Sequence, residues 1–207
     1  MKVTEVKNTS QVKERRIGIY SGTFDPVHAG HVAFALQALE KADLEAIYFL
    51  PERLPRYKPH VEHFGHRTAM LERALRPHVG LKLIDDLPEP YFSVARTLPR
   101  LRQKFPEAKL CFLIGSDVAT HISSWDSVEE LLRSSELIVG LREGSDGVAL
   151  TANLPEGAKA KVVSVARPGI RSSLIRKSVY DNASPPGLLK SVYNYVRREW
   201  LYLKNPS

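Results

Sequence analysis

The chain has 207 residues, 43% of them hydrophobic and 26% charged, which excludes a collagen, a coiled coil and a disordered polypeptide. No apolar run approaches the roughly 18 residues of a membrane span. The start MKVTEVKNTSQVKERR lacks the apolar stretch of a signal peptide, and the single Cys111 cannot close an internal disulfide, so a cytoplasmic protein with no membrane partner is expected.

Residues 1–15 are polar and aperiodic and read as a mobile extension; a single domain spans 16–207. Its first strand is RIGIY, ending at Tyr20. A turn, SGTFDPV, leads to a helix in HAGHVAFALQALEKAD, where Val32, Ala35, Leu36 and Leu39 share a face. A second strand, AIYFLP from Ala46, is followed by a long loop and by a helix in GHRTAMLERALRPH with Met70, Leu71, Ala74 and Leu75 inward; LKLI from Leu81 follows. The next helix is expected after Ser93 as N-cap, with Pro99 kinking it or delaying its start. KLCFLIG from Lys109 and ELIVGLR from Glu136 read as buried strands flanking a helix in DSVEELLRS, which Asp126 would cap. KVVSVA from Lys161 is a sixth strand, and SSLIRKSVY and LLKSVYNYVRREWLYL are terminal helices separated by Pro185-Pro186. Short apolar strands alternating with amphipathic helices predict an α/β fold, a doubly wound parallel sheet of Rossmann-like kind with a small C-terminal helical segment. Ligands of such sheets bind at the carboxyl ends of strands, which directs attention to residues 21–31 and 115–126.

The formal charge of +7 points to an anionic partner, and it is unevenly placed: residues 1–16 carry +3, 17–160 carry −3 and 161–207 carry +7. Two segments fit a polyphosphate. In GTFDPVHAGH, Gly22 lets a phosphate approach the backbone, and His28 and His31 stand one turn apart at a helix N-terminus, where the dipole favours negative charge. In IRSSLIRKS, Ser172 and Ser173 open a helix and Arg176 lies one turn further on the same face. A zinc site from Asp25, His28 and His31 is the weaker reading of the first segment, since no further ligands lie nearby.

Together these segments resemble a known family. GTFDPVHAGH is similar to the GxFDPxHxGH motif of the nucleotidyltransferase superfamily, and IRSSLIR resembles the ISSTxIR motif of the adenylyltransferases of NAD synthesis. FSVARTL, LIGSD, Trp125 and LIVGLR lie between them in the order seen in bacterial nicotinate-nucleotide adenylyltransferases, and the resemblance runs from about Arg16 to Tyr202. It implies transfer of the adenylyl group of ATP to nicotinic acid mononucleotide, giving deamido-NAD and pyrophosphate, with Mg2+ on the phosphates and no protein metal site. It also implies roles. His28, His31 and Arg176 would be catalytic; Gly22, Thr23, Phe24, Gly115, Asp117, Ile170, Ser172 and Ser173 would complete the ATP site; Lys58, Val94, Trp125 and Asp126 would meet the mononucleotide.

The chain departs from the family pattern at three places. Val94 stands where a Thr hydroxyl is expected near the nicotinate carboxylate, Asp126 where an aromatic or basic residue is usual, and Pro55-Arg56-Tyr57-Lys58 replaces Pro-Pro-His-Lys. Tyr57-Lys58 is closer to the nicotinamide-accepting enzymes, so either pyridine mononucleotide stays open, as does a homo-oligomer. His60, His63 and His66, three apart, read as a solvated loop rather than a metal site. Two alternatives stand beside the leading one: another adenylyl- or cytidylyltransferase with a different phosphorylated acceptor such as phosphopantetheine, and nucleic-acid binding through the basic ends on the same fold. For the second, Tyr193, Tyr195 and Trp200 interleave with Arg197 and Arg198.

Overall fold

A computed structural model describes residues 14–58, 60–141, 146–165 and 169–203. Six parallel strands form one sheet: β1 (Arg15–Gly22), β2 (Ala46–Pro51), β3 (Leu81–Leu83), β4 (Ala108–Gly115), β5 (Ser135–Leu141) and β6 (Ala160–Ser164), in the spatial order β3-β2-β1-β4-β5-β6. The register follows from alternation. Ile17 and Ile19 of β1, Leu110, Phe112 and Ile114 of β4, and Leu137 and Val139 of β5 enter one core; Ile47 and Phe49 of β2, Cys111 and Leu113 of β4, and Ile138 of β5 enter the other. With both faces covered, the strands are apolar throughout, as a parallel sheet requires.

The helices divide between the faces. α1 (Ala29–Lys41), α2 (Phe64–Leu75), α7 (Ser172–Tyr180) and α8 (Lys190–Arg198) contribute Val32, Phe34, Met70, Leu71, Val179, Val192 and Val196 to the face that holds Cys111. α3 (Val94–Lys104), α5 (Val128–Ser134) and α6 (Gly147–Ala152) contribute Leu98, Leu101, Leu131 and Leu150 to the opposite face, and the short α4 (Ser116–Ala119) adds Ala119 there. Cys111 is fully buried, and desolvation pushes its thiol up to about 11, so it packs as a small hydrophobe. Arg16 donates to the Glu136 carboxylate at 2.7 Å across the intervening β4, which ties β1 to β5.

Several expectations need correction. The first strand starts at Arg15, which pairs with Ala108 of β4 and bonds Glu45, one residue before the RIGIY run; residues 1–13 lie outside the described residues. α3 starts at Val94 directly after Ser93, and Pro99 sits inside it without delaying it. Pro99 is exposed, so its missing N–H leaves the Ala95 carbonyl, also on the exposed side, within reach of water. The residue preceding α5 is Ser127, in the left-handed region at φ 61°, so Asp126 does not cap that helix. α4 and α6 were not foreseen; they have 4 and 6 residues, too short for a clear hydrophobic period.

The sheet order reverses between β1 and β4. Chain segments leave this pair in opposite directions, and the carboxyl ends of the two strands, Gly22 and Gly115, open a crevice between diverging loops.

Candidate active site

Loop 23–28 links β1 to α1 across that crevice. A Cβ on Gly22 would come within 3.1 Å of the Phe24 ring, and Phe24, at φ 50°, turns that ring edge-on to Tyr20 and to His31. His28 is the N-cap of α1 in extended conformation, and His31 is its third helical residue. The His31 Nδ1 accepts the backbone N–H of His28 at 3.2 Å, so a neutral His31 carries its proton on Nε2 and presents a donor there. The two rings stack at 3.7 Å. Both imidazoles thus lie at the positive end of a 13-residue helix.

Side chains from distant elements hold this loop. Arg67 of α2, with no exposed surface, donates to the carbonyl oxygens of Thr23, Arg53 and Glu62. From α7, Arg176 donates to the Asp25 carbonyl at 2.7 Å and Ser172 to the Pro26 carbonyl at 3.0 Å. Lys58 Nζ donates to Thr23 Oγ1 at 2.8 Å. The Asp25 carboxylate is buried, accepting from the Tyr202 hydroxyl at 2.6 Å and from the Glu62 N–H. Desolvation beside this carboxylate pushes the Tyr202 phenol well above its ordinary value, so it stays a donor. Gly187, at φ +80°, accepts the first N–H of α1 through its carbonyl, and a Cβ there would strike Ile170.

Two cavities meet over this loop. The first, about 550 Å3, is lined by His28, Arg171, Ser172, Ser173, Arg176 and His60 among others. The second, about 660 Å3, is lined by Arg56, Tyr91, Val94, Arg96, Trp125 and Asp126 among others. Tyr20, Thr23, Phe24, His31, Lys58 and Gly115 line both, so they form the junction. Such a pair of compartments suits two nucleotides brought end to end.

Comparison with known proteins agrees with this geometry. Residues 19–178 match the family described as Cytidylyltransferase-like. A protein of Carboxydothermus hydrogenoformans named "Probable nicotinate-nucleotide adenylyltransferase" is 33% identical over 196 residues, covering 90% of this chain and 98% of that one. The nicotinate-nucleotide adenylyltransferase of Bacillus subtilis is 34% identical over 134 residues, 63% of this chain and 71% of that one. The chain belongs to the nicotinate-nucleotide adenylyltransferase family. Its fold is shared with the nicotinic acid mononucleotide adenylyltransferase of Plasmodium falciparum, solved in complex with NaAD, at TM-score 0.76 and 21% identity, with 93% of this chain and 100% of that one covered.

Within this adenylyltransferase, the structure gathers the motif residues at one place although 141 positions separate His31 from Ser172 in the chain. His28, His31, Ile170, Ser172, Ser173 and Arg176 line the first cavity, and Val94, Trp125 and Asp126 the second. Gly22 and Asp117 line the second cavity rather than the first, while Gly115 belongs to both. A Cβ on Gly115 would approach Asp117 Oδ1 to 2.5 Å, so the glycine makes room for that carboxylate. Val94 is buried, and Trp125 packs against Phe92 with ring centroids 5.8 Å apart.

Three secondary readings can be set against the structure. Among the described residues no group of three or more His, Cys, Asp and Glu side chains is placed to hold a metal ion, so the zinc reading has no ligand set. The spaced histidines part: His60 faces the first cavity, His63 accepts the Gly65 N–H as N-cap of α2, and His66 bonds the Tyr195 hydroxyl. Tyr195 is buried under Arg73 and Arg198, and Arg198 pairs with Glu199, whereas Arg197 and Trp200 are exposed. Arg67 and Tyr202 have no signal in the sequence as site residues, and Asp25 is read there only as a candidate zinc ligand. Asp25 lay inside the motif and could have been found by its position; nothing in the sequence around Arg67 or Tyr202 signals their partners.

Proposed function

We propose that this chain transfers the adenylyl group of ATP to nicotinic acid mononucleotide. The observation that carries this reading is the pair of cavities sharing Thr23, His31, Lys58 and Gly115 at the reversal of the sheet. ATP would lie in the first and reach the junction, with its β and γ phosphates on Ser172, Ser173 and Arg176 at the start of α7 and its ribose at Gly115, where it meets Asp117 from the side of the second cavity. The mononucleotide would lie in the second, its phosphate at the junction and its pyridine beside Trp125. A phosphate oxygen of the mononucleotide attacks the α-phosphorus in line, the bond to the bridging oxygen of the β-phosphate breaks, and pyrophosphate leaves with that electron pair. No covalent enzyme intermediate is required. His28, His31 and the α1 dipole face the charge that shifts onto the leaving group, and they are in place beforehand, so little reorganisation opposes the reaction.

Arg176 and Ser172 rest on the carbonyl oxygens of the motif loop, poised to exchange these acceptors for phosphate oxygens. Mg2+ fits this site as part of the nucleotide: it retains several waters and needs one or two protein oxygens at most, and the buried Asp25 carboxylate is already bonded to Tyr202 and Glu62. When bound it neutralises phosphate charge. We place the activity in the cytoplasm; no helix among the described residues is long and apolar enough to cross a membrane.

The direct test is pyrophosphate release from ATP and Mg2+ with each pyridine mononucleotide. Release with nicotinic acid mononucleotide supports the proposal, and release with neither refutes it.

A further inference from the structure

Away from the junction, the lining of the second cavity includes Arg56, Tyr91, Val94, Arg96, Trp125 and Asp126. Two of them are arginines on the same ring. The Arg56 guanidinium lies 4.3 Å from the Tyr91 ring centroid and that of Arg96 lies 5.4 Å from it. They come from separate elements, the loop after β2 and the first turn of α3, so the fold has brought two like charges together. Among the described residues neither has a carboxylate within ion-pairing distance. Elsewhere the surface arginines are often paired: Arg15 with Glu45, Arg100 with Glu89 and Arg102 with Glu130. Two unpaired guanidinium groups around one aromatic ring repel each other, and an anion in the cavity that both line relieves that repulsion.

We propose that Arg56 and Arg96 form the site for the pyridine carboxylate and so select the acid mononucleotide over the amide; this rests on the function proposed above. The phosphate of the mononucleotide must reach the junction to attack ATP, which leaves its pyridine ring at the far side, where Trp125 and the two arginines are. A planar carboxylate matches the guanidinium fork, whereas the NH2 of a carboxamide turns donors toward donors. The arrangement also explains how the site tolerates Val94 and Asp126. Val94 offers no hydroxyl, and Asp126 in the same wall repels a carboxylate, but two guanidinium groups outweigh one carboxylate. Of the other acids lining this cavity, Glu52 accepts the Phe92 N–H, and Asp117 lies next to the Gly115 end.

The test compares kcat/KM for nicotinic acid and nicotinamide mononucleotides in the wild type, Arg56→Ala and Arg96→Ala. Each substitution is expected to lower the value for the acid about tenfold while leaving the amide within about twofold, since a partly exposed charge-assisted contact is lost from one substrate only. An equal fall for both substrates would mean that the arginines meet the shared phosphate or ribose, and this overturns the proposal; so does an unchanged ratio in both variants. Arg56→Lys and Arg96→Lys keep the charge without the fork, and a ratio intermediate between wild type and alanine supports the assignment if an alanine variant folds poorly. A wild-type chain that uses neither mononucleotide overturns the proposed function itself, a result distinct from a flat ratio.

Discussion

The Tyr202 hydroxyl donates to Asp25 Oδ1 at 2.6 Å across 177 positions of sequence. Tyr202 follows α8, and Asp25 lies in the loop that carries His28, so the segment after α8 helps to hold that loop. The same aspartate receives Arg176 at its backbone carbonyl, with the guanidinium 3.9 Å from the carboxylate. Asp25 therefore joins the loop after β1, α7 and the segment after α8.

Tyr202→Phe removes the donor and leaves a buried carboxylate with one partner fewer, which costs about 1–3 kcal/mol. Denaturant titration should show it. The linkage also has a sign. Because burial raises the Tyr202 phenol in the folded state, its contribution is complete below the unfolded value of about 10 and is lost as pH rises above it toward the folded value. The wild type should lose stability on that alkaline side more steeply than Tyr202→Phe.

Arg67→Met should be the most damaging single change near the site. It keeps an apolar stem but leaves the carbonyls of Thr23, Arg53 and Glu62 without their donors, at a cost of about 3–5 kcal/mol. Thermal unfolding measures it, and a shift of under 1 °C would contradict the role assigned to Arg67.

His31→Ala should reduce kcat by about 10²–10³ while the KM for the mononucleotide changes little, as expected for a donor used chiefly in the transition state. His31 is half-buried at a helix start, so the melting temperature should fall by only a few degrees. Steady-state kinetics together with a melting curve separate loss of chemistry from loss of fold.

Arg176→Ala should raise the KM for ATP about tenfold to a hundredfold, with lower kcat, through loss of a charge-assisted phosphate contact. Arg176→Lys should recover part of the binding. If both variants match the wild type, the guanidinium serves only the Asp25 carbonyl.

Gly115→Ala places a methyl group 2.5 Å from Asp117 Oδ1, and the carboxylate must move. Because the displaced atom ends a flexible side chain, stability should change by under about 1 kcal/mol while the KM for ATP rises several-fold. Parallel denaturation and kinetics test both halves of this expectation.

What was legible in the sequence was local. The apolar runs AIYFLP and KLCFLIG and the helical spacing of Val32, Ala35, Leu36 and Leu39 determined a parallel α/β sheet, because burial on both faces and one buried helix face leave a period in the chain itself. The two motifs were legible for a similar reason: His28 and His31 lie within one helical turn and Ser172 and Arg176 within another, and all four line the first cavity. Tertiary structure alone decided what these motifs rest on. Arg67 buries its charge on three carbonyls from two loops, Tyr202 reaches Asp25 from the far end of the chain, and Arg56 and Arg96 both pack on Tyr91. A donor and acceptor far apart in sequence leave no periodic trace, because their pairing depends on the strand order that carries them together and not on their neighbours in the chain.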